Sequence, residues 1–191
     1  MGTSARNRLL AVGGMLLTMG WWPTPAQACS CTNLCKPESA CIKESFKYAA
    51  AVFVGTPVEV VVQHLEFKLG DGTIPTINYH ERFAVREPFK GITTSYVFSD
   101  NGSGSGDCSY GKMDEGREYL IYADLVSEGS SIHIHGCSRT RPLDGGMRSN
   151  PSPDSGWSDE MRKSMVAGQK AAQKELILLR KLRSRTAATT R

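Results

Sequence analysis

Six cysteines, at positions 29, 31, 35, 41, 108 and 137, constrain this 191-residue chain more than any other feature. All six lie behind an export signal. The N-terminus carries Arg6 and Arg8, an apolar run over residues 9–22, and then Pro23-Thr24-Pro25-Ala26-Gln27-Ala28. This is the pattern of a secretory signal peptide (1–28) with an A-x-A cleavage site, and its apolar run is shorter than the ~20 residues a membrane span needs. An even set of half-cystines in an oxidising compartment predicts three disulfides, although spacing alone leaves the pairing open. Cys35-x5-Cys41 is wider than the ~2–4 residue gap of cysteine zinc sites, which argues against a structural metal.

Cleavage after Ala28 makes Cys29 the first residue of the mature chain. In an extended segment side chains alternate, so Cys29 and Cys31 share one face and Ser30 takes the other. If disulfides tie both cysteines to the body, the α-amine, the Cys29 carbonyl and the Ser30 side chain form a rigid projecting edge. Lipidation of Cys29 would block that amine; bacterial lipoproteins normally carry an apolar residue such as Leu three places before the cysteine, where this chain has Ala26.

The formal net charge is +4, of which two charges belong to the signal. The near-neutral remainder gives no reason to expect a nucleic-acid binder, and its length suits one domain with an ample core. A short helix is expected over residues 44–51, with Phe46, Ala49 and Ala50 on one face. From Val52 to Val62 β-branched residues recur with period two, which predicts a strand, and Gly55 inside it predicts a bulge. Asp71-Gly72 signals a tight reversal into a return strand over residues 77–87. Further strands are expected at 96–98, 118–123 and 131–137. Asn101-Gly102-Ser103 opens a Gly/Ser loop and fits a glycosylation sequon. Five short antiparallel strands with turn signals between them suit a small closed barrel. Residues 144–156 form a Gly/Pro/Ser linker, and 157–183 a helix with Met161, Met165, Ala172, Leu176 and Leu179 on one face. That helix is expected to be an accessory, so truncation after Leu143 should leave a folded domain. Nine Lys/Arg against Glu175 alone follow Met161, which leaves open a weak attraction to an anionic surface. A disordered tail is expected over 184–191.

Cys29-Ser30-Cys31 directly after a signal, Ala51-Val-Phe-Val-Gly-Thr56, Phe89-Lys-Gly91, Glu118-Tyr-Leu-Ile121 and His133-Ile134 leading to Cys137 together resemble the tissue inhibitors of metalloproteinases, within the netrin-like domains. The resemblance implies a mainly β, five-stranded OB-fold barrel over residues 29–143, flanked by the short helix and the C-terminal helix and stapled by disulfides. It also implies the pairs Cys29–Cys108 and Cys31–Cys137, which leaves Cys35–Cys41. Two departures stand out. Thr32-Asn33-Leu34-Cys35 replaces the Pro- and His-containing segment that follows the second cysteine in the animal inhibitors, and a linker with one helix replaces their C-terminal subdomain.

The implied function is inhibition rather than catalysis, with an edge of Cys29, Ser30, Cys31 and Thr32. Catalytic zinc keeps one open position, which the amine nitrogen and carbonyl oxygen of Cys29 can occupy in trans. Ser30 then enters the specificity pocket beside the metal. The expected partner is a zinc metalloprotease; no cofactor and no nucleic acid are expected, a membrane only if Cys29 is lipidated, and the protein is expected to be a monomer, secreted or periplasmic. An alternative is an extracytoplasmic binding or adhesion module that uses the barrel face or the hairpin over residues 65–77. A metal-dependent enzyme built on His133 and His135, with His80, is a third reading, for which no carboxylate at a motif spacing supplies a base.

Overall fold

A computed structural model of the chain describes residues 35–102, 108–126, 131–146 and 158–189. The first helix, α1 (Glu38–Tyr48), starts earlier than the sequence suggests and buries Cys41 and Ile42, with Phe46 and Ala49 half-covered behind them. Strands β1 (Ala51–Leu69) and β2 (Gly72–Lys90) follow as one antiparallel hairpin. Then come β3 (Tyr96–Asn101), β4 (Tyr119–Leu125), β5 (Ser131–His133), the short β6 (Arg141–Pro142) and the helix α2 (Asp159–Thr189).

Five strands close a ring in one sheet, in the order β1-β2-β3-β5-β4 with β4 pairing back onto β1, while β6 pairs with the start of β4, at Tyr119 and Leu120. The expectation of uniformly antiparallel pairing fails at one contact. The β3–β5 pair is parallel. Parity requires this, because alternating directions cannot close around an odd number of strands.

The expected bulge lies at Gly55, where the register shifts between Val54 and Gly55. A Cβ there would sit 2.8 Å from the Phe53 ring, so the close approach needs glycine. The last of three shifts, between Pro57 and Glu59, ends the buried part of the strand. The Val pattern does not mark one continuous buried face: Val52 and Val54 are fully buried, whereas Val58 and Val62 are exposed. Beyond Val62 and Tyr79, where β3 ends, the hairpin runs out as a two-stranded ribbon to the turn at Gly70 and Asp71, past the strand limits expected at 62 and 77. Its outer half keeps a period-two alternation, with Leu65, Phe67 and Leu69 set between Glu66 and Lys68, although Phe67 stays exposed.

Two cores share β1 and β4. Phe53, Phe83, Met113, Tyr119, Ile121, Ile132 and Ile134 fill the ring, with Phe53 and Phe83 edge to face at 6.1 Å. Val52, Val54, Phe89, Leu120 and Tyr122 point outward and are covered by Ile42, Leu143 and the Ala172, Leu176 and Leu179 face of α2. Burial on both faces explains why Ala51-Val-Phe-Val54 and Tyr119-Leu-Ile-Tyr-Ala123 read as unbroken apolar runs. Helix α2 extends to Thr189, through most of the stretch expected to be a disordered tail. Arg180 clamps both oxygens of Glu87 at 2.9 and 2.8 Å, and Arg183 donates to the Pro88 carbonyl.

The Phe89-Lys-Gly91 motif has a physical reading. Phe89 belongs to the outer core, Lys90 Nζ donates to the carbonyls of Phe46, Lys47 and Ala49 at 2.9, 2.8 and 2.6 Å, and Gly91 adopts φ +71° against the Ala50 carbonyl. One ammonium thus satisfies the open C-terminal end of α1 and complements its dipole. Lys90→Met keeps the stem and loses these bonds. The expected cost is about 1–3 kcal/mol in urea denaturation, and an unchanged midpoint would show that water serves those carbonyls equally well.

Candidate functional site

The edge residues Cys29, Ser30, Cys31 and Thr32 lie outside the described residues. Their expected anchors, Cys108 and Cys137, lie within them. Both are disulfide-bonded, and no described cysteine is free. Cys35 and Cys41 pair with each other, as expected.

The two anchors are brought together by pairing between distant segments. Ser109 forms a β-bridge with His135, Tyr110 N donates to Ile134 O at 2.8 Å, and Gly136 N donates to Cys108 O at 2.5 Å. Cys108 therefore faces the residue next to Cys137. A Cβ on Gly136 would lie 2.9 Å from the Ser109 carbonyl oxygen, so only glycine allows this approach. The strand expected over 131–137 is interrupted for the same reason: after His133 the chain leaves β4 and takes the 108–110 segment as its partner.

A buried polar cluster holds this arrangement from below. Glu81, on β2, accepts from Ser99 Oγ at 2.9 Å, Asn101 Nδ2 at 2.9 Å and Met113 N at 2.7 Å. Asn101 Oδ1 in turn accepts from Ile134 N at 2.9 Å. Burial pushes the Glu81 carboxyl above the ordinary range, and the bonds from Met113, Ser99 and Asn101 work against that shift. Asn101 is fully buried with both polar atoms engaged, so the sequon reading fails: a glycan needs an exposed amide.

Beside Cys137 lies an open cleft of about 240 Å³, lined by Tyr48 and Ala49 from α1, Tyr122 and Asp124 from β4, and His135, Ser138 and Arg139. Arg139 is fixed from behind. Its Nε donates to Glu175 at 2.9 Å, and it also pairs with Glu38. Glu175 projects from α2 with no exposed surface and accepts from Arg139, Arg141 and the Tyr122 hydroxyl, the last at 2.7 Å. Burial and then the neighbouring Glu175 charge push the Tyr122 hydroxyl well above its usual range. Burial opposes the charge on Arg139, but the bonds and charge of Glu175 and Glu38 outweigh it.

The three histidines proposed as metal ligands are not gathered together. His133 Nδ1 lies 3.0 Å from the Asp100 carbonyl and His80 Nδ1 3.6 Å from the Asp100 carboxylate, whereas His135 Nδ1 accepts from Cys137 N in the cleft. Among the described residues no group of three His, Cys, Asp or Glu could hold a metal. Sequence reasoning missed Glu81, Tyr122, Arg139, Arg141 and Glu175. The available signal was Glu175, the one acid of the helix after its first turn, set beside Leu176 on its apolar face.

No family model matches the chain, and no curated protein matches it.

Proposed function

We propose that the mature chain is an exported, netrin-like OB-barrel protein that inhibits zinc metalloendopeptidases through the Cys29 amine and carbonyl. The observation that carries this reading is the juxtaposition of Cys108 and Cys137, two bonded half-cystines on paired segments, with Cys35 and Cys41 closed on each other. Adjacent anchors suit a segment whose own cysteines are one residue apart. Cys29-Ser30-Cys31 is that segment, and its pairing as Cys29–Cys108 and Cys31–Cys137 belongs to the proposal. The mainly β architecture, with a ring of five strands and one helix before and one after them, is in keeping with the barrel.

The proposed chemistry needs a free, neutral amine. An α-amine titrates near ~7.7–8, so coordination should release a proton near neutral pH. The test is titration of a panel of zinc endopeptidases with the mature protein, where at least one must be inhibited. If none is, the binding-module reading takes its place. Non-reducing peptide mapping checks the frame independently. It should recover Cys29 joined to Cys108 and Cys31 joined to Cys137, and a Cys108–Cys137 peptide would remove the anchored edge.

A further inference from the structure

We propose that the outer face of α2 is a docking strip for an anionic lipid surface, independent of the inhibitory edge and requiring no acyl chain on Cys29. The strip is built from a repeat. Lys163-x2-Val166-x3-Lys170 recurs eleven residues later as Lys174-x2-Ile177-x3-Lys181. Eleven residues are close to three helical turns, so equivalent positions stay in line along the helix rather than spiralling around it. The four lysines form a row about 27 Å long at ~1.5 Å per residue.

This row faces away from the body, because Ala172, Leu176 and Leu179 on the opposite side are packed into the outer core. All four lysines are exposed, and none forms an ion pair among the described residues. The neighbouring arginines differ: Arg180 is bound to Glu87 and Arg183 to the Pro88 carbonyl. The described helix carries exposed carboxylates only in its first turn, at Asp159 and Glu160, and its one later acid, Glu175, is buried. The lysine row therefore has no acidic residue beside it on the helix beyond the first turn.

The apolar member of each repeat points to lipid rather than to a soluble polyanion. Val166 and Ile177 are 51% and 52% exposed and lie on the same flank of the row, each between two lysines. A polyanion gains little from an aliphatic side chain among the cations. At a bilayer surface the same side chain settles below the headgroups while the lysine stems lie along the interface with their ammonium groups at the phosphates. Because the main apolar face of α2 is already buried, contact stays superficial, and no described helix is long and apolar enough to cross a membrane.

The test is co-sedimentation of the full mature protein with vesicles of phosphatidylcholine alone or of equal parts phosphatidylcholine and phosphatidylglycerol. Binding is expected only to the anionic vesicles, and it should fall steeply with salt. Each lysine near an anionic surface contributes about fivefold, so Lys170→Gln with Lys174→Gln should weaken binding about 25-fold. Ile177→Ser should weaken it about fivefold while leaving the salt dependence unchanged. All three positions are exposed, and unfolding midpoints confirm that the variants stay folded. Absence of binding to anionic vesicles at low salt overturns the proposal. So does full binding by the double lysine variant. If Ile177→Ser binds vesicles normally and the protein binds soluble heparin as tightly, the strip serves a polyanion and the lipid assignment is wrong.

Discussion

One alanine placed before Cys29 is expected to abolish inhibition of zinc endopeptidases while leaving the fold unchanged. The extension converts the Cys29 amine into an amide, whose lone pair is delocalised and does not coordinate zinc. It also moves the new amine about 3.3 Å further along an extended chain, away from the metal's open position. Coordination and the water it displaces are worth several kcal/mol, so the inhibition constant should rise by about 10³-fold or more. Ser30→Gly should weaken inhibition more mildly by leaving the specificity pocket empty, and Ser30→Arg should separate proteases by pocket depth. The measurement is a side-by-side titration of wild-type and extended protein, with denaturation curves as the control. Equal inhibition by both would exclude amine coordination while leaving the fold intact.

Glu175→Ala is expected to destabilise the protein by about 3–5 kcal/mol, the cost of removing the buried counter-ion of two half-buried arginines. The substitution strips Arg139 and Arg141 of a shared carboxylate and leaves the Tyr122 hydroxyl without its acceptor. Glu175→Gln, which keeps an oxygen for Tyr122, should lose less. Against a total stability of about 5–15 kcal/mol, the alanine variant stands near the limit of folding. The same geometry changes the expected result of truncation after Leu143. Removing α2 uncovers Val52, Val54, Phe89, Leu120 and Tyr122 as well as releasing both arginines. The truncated chain should lose its cooperative urea transition. Retention of a sharp transition by the truncated chain, together with a small effect of Glu175→Ala, would mean that α2 is an appendage after all. Because Arg139 lines the cleft beside Cys137, these variants should be assayed for inhibition only where they remain folded.

Much of the strand plan is legible in the residues. Val52 to Val62 alternates, Gly55 interrupts it, and Asp71-Gly72 turns the chain, because strand, bulge and turn each rest on preferences confined to a few neighbouring residues. The unbroken apolar runs at 51–54 and 119–123 are equally local, and their two-sided burial follows once a second layer is present. The Cys29-Ser30-Cys31 edge is also a sequence reading, and its proposed chemistry depends on Cys29 being the first residue of the mature chain.

What local patterns could not supply is which distant groups meet. The alternation of Leu65, Phe67 and Leu69 marks the outer hairpin as strand, but only the backbone pairing shows that this ribbon pairs with itself alone and leaves Phe67 exposed. The parallel β3–β5 contact follows from closing five strands, a property of the ring and of no single strand. In the sequence Glu175 is only the one acid among the basic residues that follow Met161. Only the tertiary structure carries Glu175 to Tyr122, 53 residues away in sequence, and to two arginines beside Cys137. Residue type sets what a side chain needs when it is buried, whereas chain packing decides whether it is buried and which partner meets that need.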